Sequence, residues 1–202
     1  MPEILTPIPL LALTAIAAYL LGSVPFGIVI ARLFGLGDLR KIGSGNIGAT
    51  NVLRTGNKLA AFLTLILDAG KGGIAVLVAR ALFGPDAAQL AGFAAFLGHC
   101  FPVYLGFKGG KGVATWLGTL LALAWPVFLA AGATWLAMAA LFRISSLAAL
   151  TAALVTPLWA WLLGYPQTIV LLIALAVLIY IRHAPNIRRI LDGTETKIGK
   201  KS

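Results

Sequence analysis

The sequence predicts an all-α integral membrane protein: a polytopic bundle of seven transmembrane helices, N-terminus outside and C-terminus cytoplasmic. Three observations carry that prediction. The chain is 60% hydrophobic and only 11% charged, against roughly 25% charged residues in soluble domains, and its mean hydropathy is +0.97. Seven apolar runs follow one another at about 8–34, 56–83, 88–105, 113–124, 127–142, 145–163 and 167–182. Lysine and arginine collect in alternate connections between those runs, the pattern that orients membrane proteins.

A helix needs about 20 apolar residues to cross a bilayer, so 202 residues allow about seven spans in one domain, residues 1–202. The first run follows Met1-Pro2-Glu3, which has no basic stretch, and it is too long for a signal peptide; it is expected to be a retained first span. Leu147–Leu163 and Thr168–Ile181 contain no charge at all. The difficult stretch is Val113 to Phe142, either one tilted helix or two shorter ones broken at Trp125-Pro126.

Charge decides between them. With two helices there, Arg32, Arg40, Lys41, Arg54, Lys58, Lys108, Lys111, Arg143, Arg182, Arg188, Arg189, Lys197, Lys200 and Lys201 all fall on the inner side, 14 of the 16 Lys and Arg residues. The outer connections, around 1–7, 84–87, 124–126 and 164–166, hold none. One long helix would throw Arg143 and the basic tail to opposite faces. Trp125, Trp159, Trp161 and Tyr165 then lie near the outer interface, where amphipathic rings are expected. The net charge of +10 is thus spread over membrane-flanking loops, and nucleic acid is not an expected partner. Cys100 is the single cysteine, so no intrachain disulfide can form.

Three polar segments share the inner face. The first is Gly43-Ser44-Gly45-Asn46-Ile47-Gly48-Ala49-Thr50-Asn51, followed by Arg54. It contains G-x-G-x-x-G, but the dinucleotide fingerprint needs a preceding strand, and here a membrane helix precedes it. Closely spaced glycines still let backbone N–H groups approach an anion, and a helix beginning near Thr50 would aim its positive end there. Glycine and asparagine also suit a flexible loop; Ser44 and Arg54 beside them favour a site.

The second is Gly98-His99-Cys100-Phe101-Pro102, then Phe107-Lys108-Gly109-Gly110-Lys111-Gly112-Val113-Ala114-Thr115. It fails the Walker A spacing, yet two lysines interleaved with three glycines before a helix make a phosphate cradle. A basic membrane-flanking turn is the plainer alternative. The third is Arg182-His183-Ala184-Pro185-Asn186-Ile187-Arg188-Arg189, continuing to Glu195. His183 is at least an interfacial side chain; Asn186 could help it orient a substrate if a helical turn survives past Pro185. Arg188 and Arg189 could hold anionic headgroups.

Asp68 and Lys71 lie three apart on the second run, hence on one helix face. At membrane depth such groups pair or face a polar cavity, and pairing with each other is the simpler expectation. His99 beside Cys100 supplies half a zinc site at most, since three or four ligands are required; no metal is expected.

These residues together resemble the bacterial acyl-phosphate:glycerol-3-phosphate acyltransferase family. The likeness rests on Gly43–Asn51 with Arg54, on Asp68-Ala69-Gly70-Lys71-Gly72, on Gly98–Pro102 through Thr115, and on His183–Asn186 with Glu195. It implies transfer of a fatty acyl group from acyl phosphate to the 1-hydroxyl of sn-glycerol 3-phosphate, giving 1-acylglycerol 3-phosphate (lysophosphatidic acid) and phosphate in phospholipid biosynthesis, at the bacterial inner membrane with the active site facing the cytoplasm. It implies catalytic roles for Ser44, Arg54, His183 and Asn186. Substrate binding falls to Gly43, Gly45, Asn46, Thr50, Asn51, Lys108, Gly109, Gly110, Lys111 and Gly112. Asp68, Lys71 and Glu195 are expected to be structural.

Acyl phosphate is an activated mixed anhydride, so neither cofactor nor covalent intermediate is demanded. Two phosphate-bearing substrates repel strongly unless cations and N–H donors screen them; Arg54, Lys108 and Lys111 could do so. His183 is the best general-base candidate, with a substrate phosphate oxygen as the alternative. Neither histidine begins an H-x-x-x-x-D motif, which argues against the large acyl-CoA-dependent type. The competing class is a transporter of a phosphorylated solute, but transporters place their sites near the midplane, often in inverted repeats. Expected partners are the two substrates and membrane lipids; among proteins, neighbouring lipid-synthesis enzymes are the class to consider.

Overall fold

The computed structural model describes residues 2–199, and their regular structure is helical. The first apolar run becomes α1 (Ile8–Ser23) and α2 (Phe26–Leu33), interrupted at Val24-Pro25. Proline lacks the N–H for the helical ladder and pushes the preceding residue to extended backbone. A short α3 (Ala49–Leu53) follows the first glycine-rich loop. The long α4 (Lys58–Phe83) starts at Asn57, whose side-chain oxygen accepts the Ala60 N–H at 2.9 Å; this satisfies one orphan donor of the first turn. Next come α5 (Pro85–Cys100), α6 (Val113–Leu123), α7 (Trp125–Phe142), α8 (Ser145–Leu162), α9 (Ile169–Arg182) and α10 (Ala184–Leu191).

The protein is an all-α, multi-pass integral membrane protein. Five segments are long and apolar enough to cross: Ile8–Leu33, Lys58–Phe83, Pro85–Leu105, Trp125–Phe142 and Ser145–Leu162. A sixth is the pair of α9, with its leading turn, and α10, bent by 63°. The stretch from Val113 to Phe142 is two helices, broken at Ala124, one residue before the expected Trp125-Pro126. The remaining helix of the seven expected is α6, with only 11 residues, about 16 Å of helix against a hydrocarbon core of about 30 Å.

In lipid there is little hydrophobic drive between helices, so close packing of small residues has to hold them together. An alanine seam of Ala18, Ala75, Ala79, Ala87, Ala91, Ala94 and Ala95 joins α1, α4 and α5. A Cβ on Gly22 would lie 2.1 Å from the Ala95 carbonyl oxygen, and one on Gly118 only 1.9 Å from that of Ala69. Only glycine lets α1 meet α5, and α6 meet α4, at this distance. Larger side chains (Phe96, Trp116, Leu120, Leu150, Leu172, Leu175 and Ile179) fill a second core between α5, α6, α8 and α9. Leucines and isoleucines such as Leu13, Ile16, Ile74, Leu154 and Ile173 face outward, as a lipid-solvated surface requires.

The connections segregate to two ends. At one, Leu5 and Thr6 N–H groups donate to Asp86 Oδ2, Gln89 reaches the Gln167 carbonyl, and Arg80 reaches that of Leu123. At the other, Arg54 meets Thr196, Arg182 meets Gly109 and Gly110, and Arg143 meets Ile198. The three polar segments of the sequence therefore converge at a single end of the bundle.

Candidate active site

Asn51 is the peg of the first loop. It is 1% exposed; its Oδ1 accepts the Ser44 N–H at 3.1 Å and the Ser44 hydroxyl at 3.4 Å, and its Nδ2 donates to the Leu39 and Asn46 carbonyls at 2.9 and 2.7 Å. Gly43 turns with φ +51°, and a Cβ there would lie 2.7 Å from both Arg54 Cδ and Asn51 Oδ1. Its missing side chain is the space that Arg54 occupies. Arg54, at the end of α3, donates through Nη2 to Thr196 Oγ1, while its Nη1 is buried with no partner among the described residues.

The second loop folds back onto the end of α5. Gly109 N–H donates to the Cys100 carbonyl at 3.2 Å and Gly110 N–H to that of His99 at 3.0 Å. Their own carbonyls accept from Arg182, Gly110 from Nε at 3.0 Å and Gly109 from Nη2 at 2.9 Å, and the Arg182 guanidinium lies over the Phe101 ring. Both peptides are thus engaged, so these two glycines shape the loop without offering free donors. Gly112 has φ +83°, and a Cβ there would strike the Phe96 ring. The free donors lie one step further on: the first-turn N–H groups of α6, which have no intrahelical acceptor, beside the Lys111 ammonium.

The third segment bends at His183, where α9 ends and α10 restarts. Pro185 sits in the first turn of α10, where its missing N–H costs nothing, and Asn186 and Ile187 N–H groups both donate to the His183 carbonyl. The helical turn thus survives the proline. His183 Nδ1 is 2.8 Å from the Ile179 carbonyl oxygen. A carbonyl can only accept, so the ring proton sits on Nδ1 and Nε2 is left as an acceptor. Asn186 Nδ2 donates to Glu195 Oε1 at 2.6 Å, and Ser146 and Arg189 donate to the same carboxylate at 2.7 and 2.6 Å.

A cavity of about 560 Å³ connects these parts. Ser44, Arg54, Lys111, His183 and Asn186 line its polar part; Phe62, Leu65, Leu117, Phe128, Trp135 and Leu136 line the apolar remainder. Asn46, Thr50, Asn51, Gly112 and Glu195 also reach it, whereas Gly43, Gly45, Lys108, Gly109 and Gly110 stand behind its wall. Lys108 is exposed on the neighbouring turn. Burial, with the Arg189, Arg54 and Arg182 charges against it and Glu195 for it, pulls Lys111 down to about 8. Burial opposes ionisation of Glu195, but donors from Asn186, Ser146 and Arg189 outweigh it and hold its carboxyl below the usual range.

Sequence reasoning placed Arg182 in the third segment without a role, and it overlooked Ser146 and Thr196. Arg182 had a visible signal, a lone cation closing an apolar run; the two hydroxyl residues had none, because only the fold brings them near. Asp68 and His99 also border the cavity, and the expected pairing holds, with Lys71 Nζ 2.8 Å from Asp68 Oδ1.

A cationic pocket opening into an apolar slot, in a helical membrane protein, suits an anionic head joined to a hydrocarbon chain. Residues 12–193 match the family model for glycerol-3-phosphate acyltransferase. Curated glycerol-3-phosphate acyltransferases from Jannaschia sp. (strain CCS1) and Dinoroseobacter shibae are 73% and 67% identical over 201 residues, each alignment covering 100% of this chain and 99% of the relative. Two crystal structures of PlsY, an integral membrane glycerol 3-phosphate acyltransferase, superpose on the chain. The glycerol 3-phosphate form has a TM-score of 0.88 at 44% identity, covering 94% of this chain and 96% of that one. The lysophosphatidic acid form has 0.87 at 43%, covering 94% and 95%. The chain belongs to the glycerol-3-phosphate acyltransferase family, and it is a membrane enzyme of phospholipid synthesis that acylates glycerol 3-phosphate to lysophosphatidic acid.

Proposed function

We propose that the acyl donor is acyl phosphate and that the residues lining the cavity divide the reaction between them. The observation that carries this reading is the continuity of one cavity from Lys111, Arg54 and His183 to Phe128 and Trp135. Its polar part matches two phosphates and a glycerol; its apolar part matches a fatty chain. Lys111 and the α6 N-terminus hold the phosphate of glycerol 3-phosphate, since an ammonium crowded by other cations gains most from an incoming dianion. Arg54, with a buried nitrogen that has no partner among the described residues, and Ser44 hold the donor's phosphate. Gly43, Gly45, Asn46, Thr50 and Asn51 shape the first loop around them, and Lys108, Gly109, Gly110 and Gly112 the second. Asp68, Lys71 and Glu195 support the frame.

The 1-hydroxyl oxygen attacks the acyl carbonyl carbon, the carbon–oxygen bond to phosphate breaks, and the hydroxyl proton ends on the released phosphate. His183 Nε2 accepts that proton's hydrogen bond and aligns the oxygen, with Asn186 beside it. A phosphate dianion, whose last pKa is about 6, is basic enough to take the proton near neutral pH. The phosphate is therefore the final acceptor.

The same reading places the chain as a single domain, residues 1–202, crossing the bacterial inner membrane seven times with its site facing the cytoplasm. The 14 cations on one set of connections support that orientation. A short α6 can serve as a crossing because the buried loop before it, around Gly110 and Gly112, supplies part of the path. The test is purified protein given palmitoyl phosphate and glycerol 3-phosphate, with phosphate and lysophosphatidic acid followed together. Equal release of both is the expected result. Activity with palmitoyl-CoA and none with palmitoyl phosphate would overturn the donor assignment.

A further inference from the structure

Asp68, Lys71 and His99 come from the middle of α4 and the end of α5, and all three are at most 5% exposed. Burying three ionisable groups inside a membrane bundle is expensive even when they pair, and an apolar trio would pack there at less cost. Their contacts run in one direction. Lys71 Nζ donates to the Val24 carbonyl at the α1–α2 break (3.0 Å) and sits 2.8 Å from Asp68 Oδ1. That same oxygen is 3.5 Å from His99 Nδ1, an electrostatic contact without hydrogen-bond geometry. Thr115 Oγ1, on α6, donates to the Asp68 carbonyl at 2.9 Å.

The other edge of the His99 ring lies against Gly110. A Cβ on Gly110 would be 2.2 Å from His99 Nε2 and 2.9 Å from Cε1. The Gly110 N–H is taken by the His99 carbonyl and its carbonyl by Arg182. The residue before Lys111 is therefore held on three sides, and His99 supplies two of them.

We propose that Asp68, Lys71 and His99 form a buried positioning unit. Lys71 anchors Asp68, Asp68 orients the His99 ring, and the ring sets the height of the Gly110–Lys111 backbone, hence the affinity for glycerol 3-phosphate. The proposal rests on Lys111 as the glycerol phosphate anchor and explains the glycine at 110 by a contact behind the site. Asp68 and His99 border the cavity and Lys71 does not line it; the unit acts on binding through the loop.

A double-mutant cycle tests it. Gly110→Ala and His99→Ala should each raise KM for glycerol 3-phosphate about tenfold, as displaced positioning groups do, with kcat and the KM for palmitoyl phosphate nearly unchanged. In the double variant the new methyl enters the space of the missing ring, so its KM should be no higher than that of either single variant. Asp68→Asn and Lys71→Met should move the same KM; if they fail to fold, the cycle does not depend on them. Additive effects in the cycle, a fall in kcat with KM unchanged, or a loss of thermal stability without any kinetic change would overturn the proposal. Lys111→Ala is the reference: an unchanged KM there removes the anchor itself, and both readings fall.

Discussion

The Asn186 side-chain amide donates to Glu195 Oε1 at 2.6 Å, which leaves its own Oδ1 buried at the cavity wall with no partner among the described residues. Glu195 thus decides which end of the amide faces substrate. Asn186→Asp is isosteric but sets carboxylate against carboxylate, and it should abolish turnover. Adding Glu195→Gln restores a donor and should recover part of it. Glu195→Ala orphans the buried donors of Asn186 and Ser146; each buried unpaired group costs about 1–3 kcal/mol, so Tm in detergent should drop by several degrees. Because the Glu195 carboxyl titrates below the usual range when folded, its stabilisation is complete above the ordinary glutamate value, about 4.3, and is lost as pH falls through the folded value. Equal Tm for wild type and Glu195→Gln at pH 7 would refute this.

His183 is held by one hydrogen bond to the Ile179 carbonyl, with Nε2 free to accept. His183→Ala should lower kcat by about 10²-fold, the scale of losing a group that positions the reacting oxygen. His183→Gln, which can still orient a hydroxyl, should retain activity within about tenfold of wild type, because the phosphate takes the proton. Single-turnover phosphate release across pH 4–8 measures both effects.

Lys111 gives the opposite limb. Its ammonium, lowered to about 8, loses its proton as pH rises through that value, and anion affinity goes with it. kcat/KM for glycerol 3-phosphate should fall above about pH 8, and the fall should vanish in Lys111→Arg, whose guanidinium stays charged. An unchanged alkaline limb in that variant assigns the titration elsewhere.

Gly132 lines the apolar part of the cavity, and a Cβ there would meet nothing within 4 Å. A larger side chain would fill the slot without straining its surroundings. Gly132→Leu should cut kcat/KM for palmitoyl phosphate about tenfold and spare decanoyl phosphate, since a few methylenes decide discrimination of that order. Equal loss with both chains would place the hydrocarbon elsewhere.

Arg40, Lys108 and Leu191 are exposed at one end of the bundle, Pro85 and Gln167 at the other. Cysteines at the first three should label from the cytoplasmic side, those at the last two from outside. Cys100 is wholly buried, so the wild-type chain can serve as background. Labelling of 40 and 191 from opposite sides would reject the proposed topology.

The sequence by itself determined the solvent, the class and the cast of residues. A chain with 11% charge has to sit in lipid. The apolar runs had to become helices because each backbone group in lipid must find its partner within the segment. The glycine-rich loops, His183 and Asn186 were legible because chemistry-bearing side chains stand out against an apolar background. Only the tertiary structure decided how far α6 extends, that Gly109 and Gly110 spend their N–H groups on α5, and that Glu195 reaches back to Ser146 and Asn186. These are contacts between residues far apart in the chain, set by how closely helices approach. That approach depends on small residues such as Gly22, Gly118 and Ala95, whose partners no local pattern names. Periodicity shows which face of a helix is apolar. It does not show which neighbour that face meets, and the site is built from those meetings.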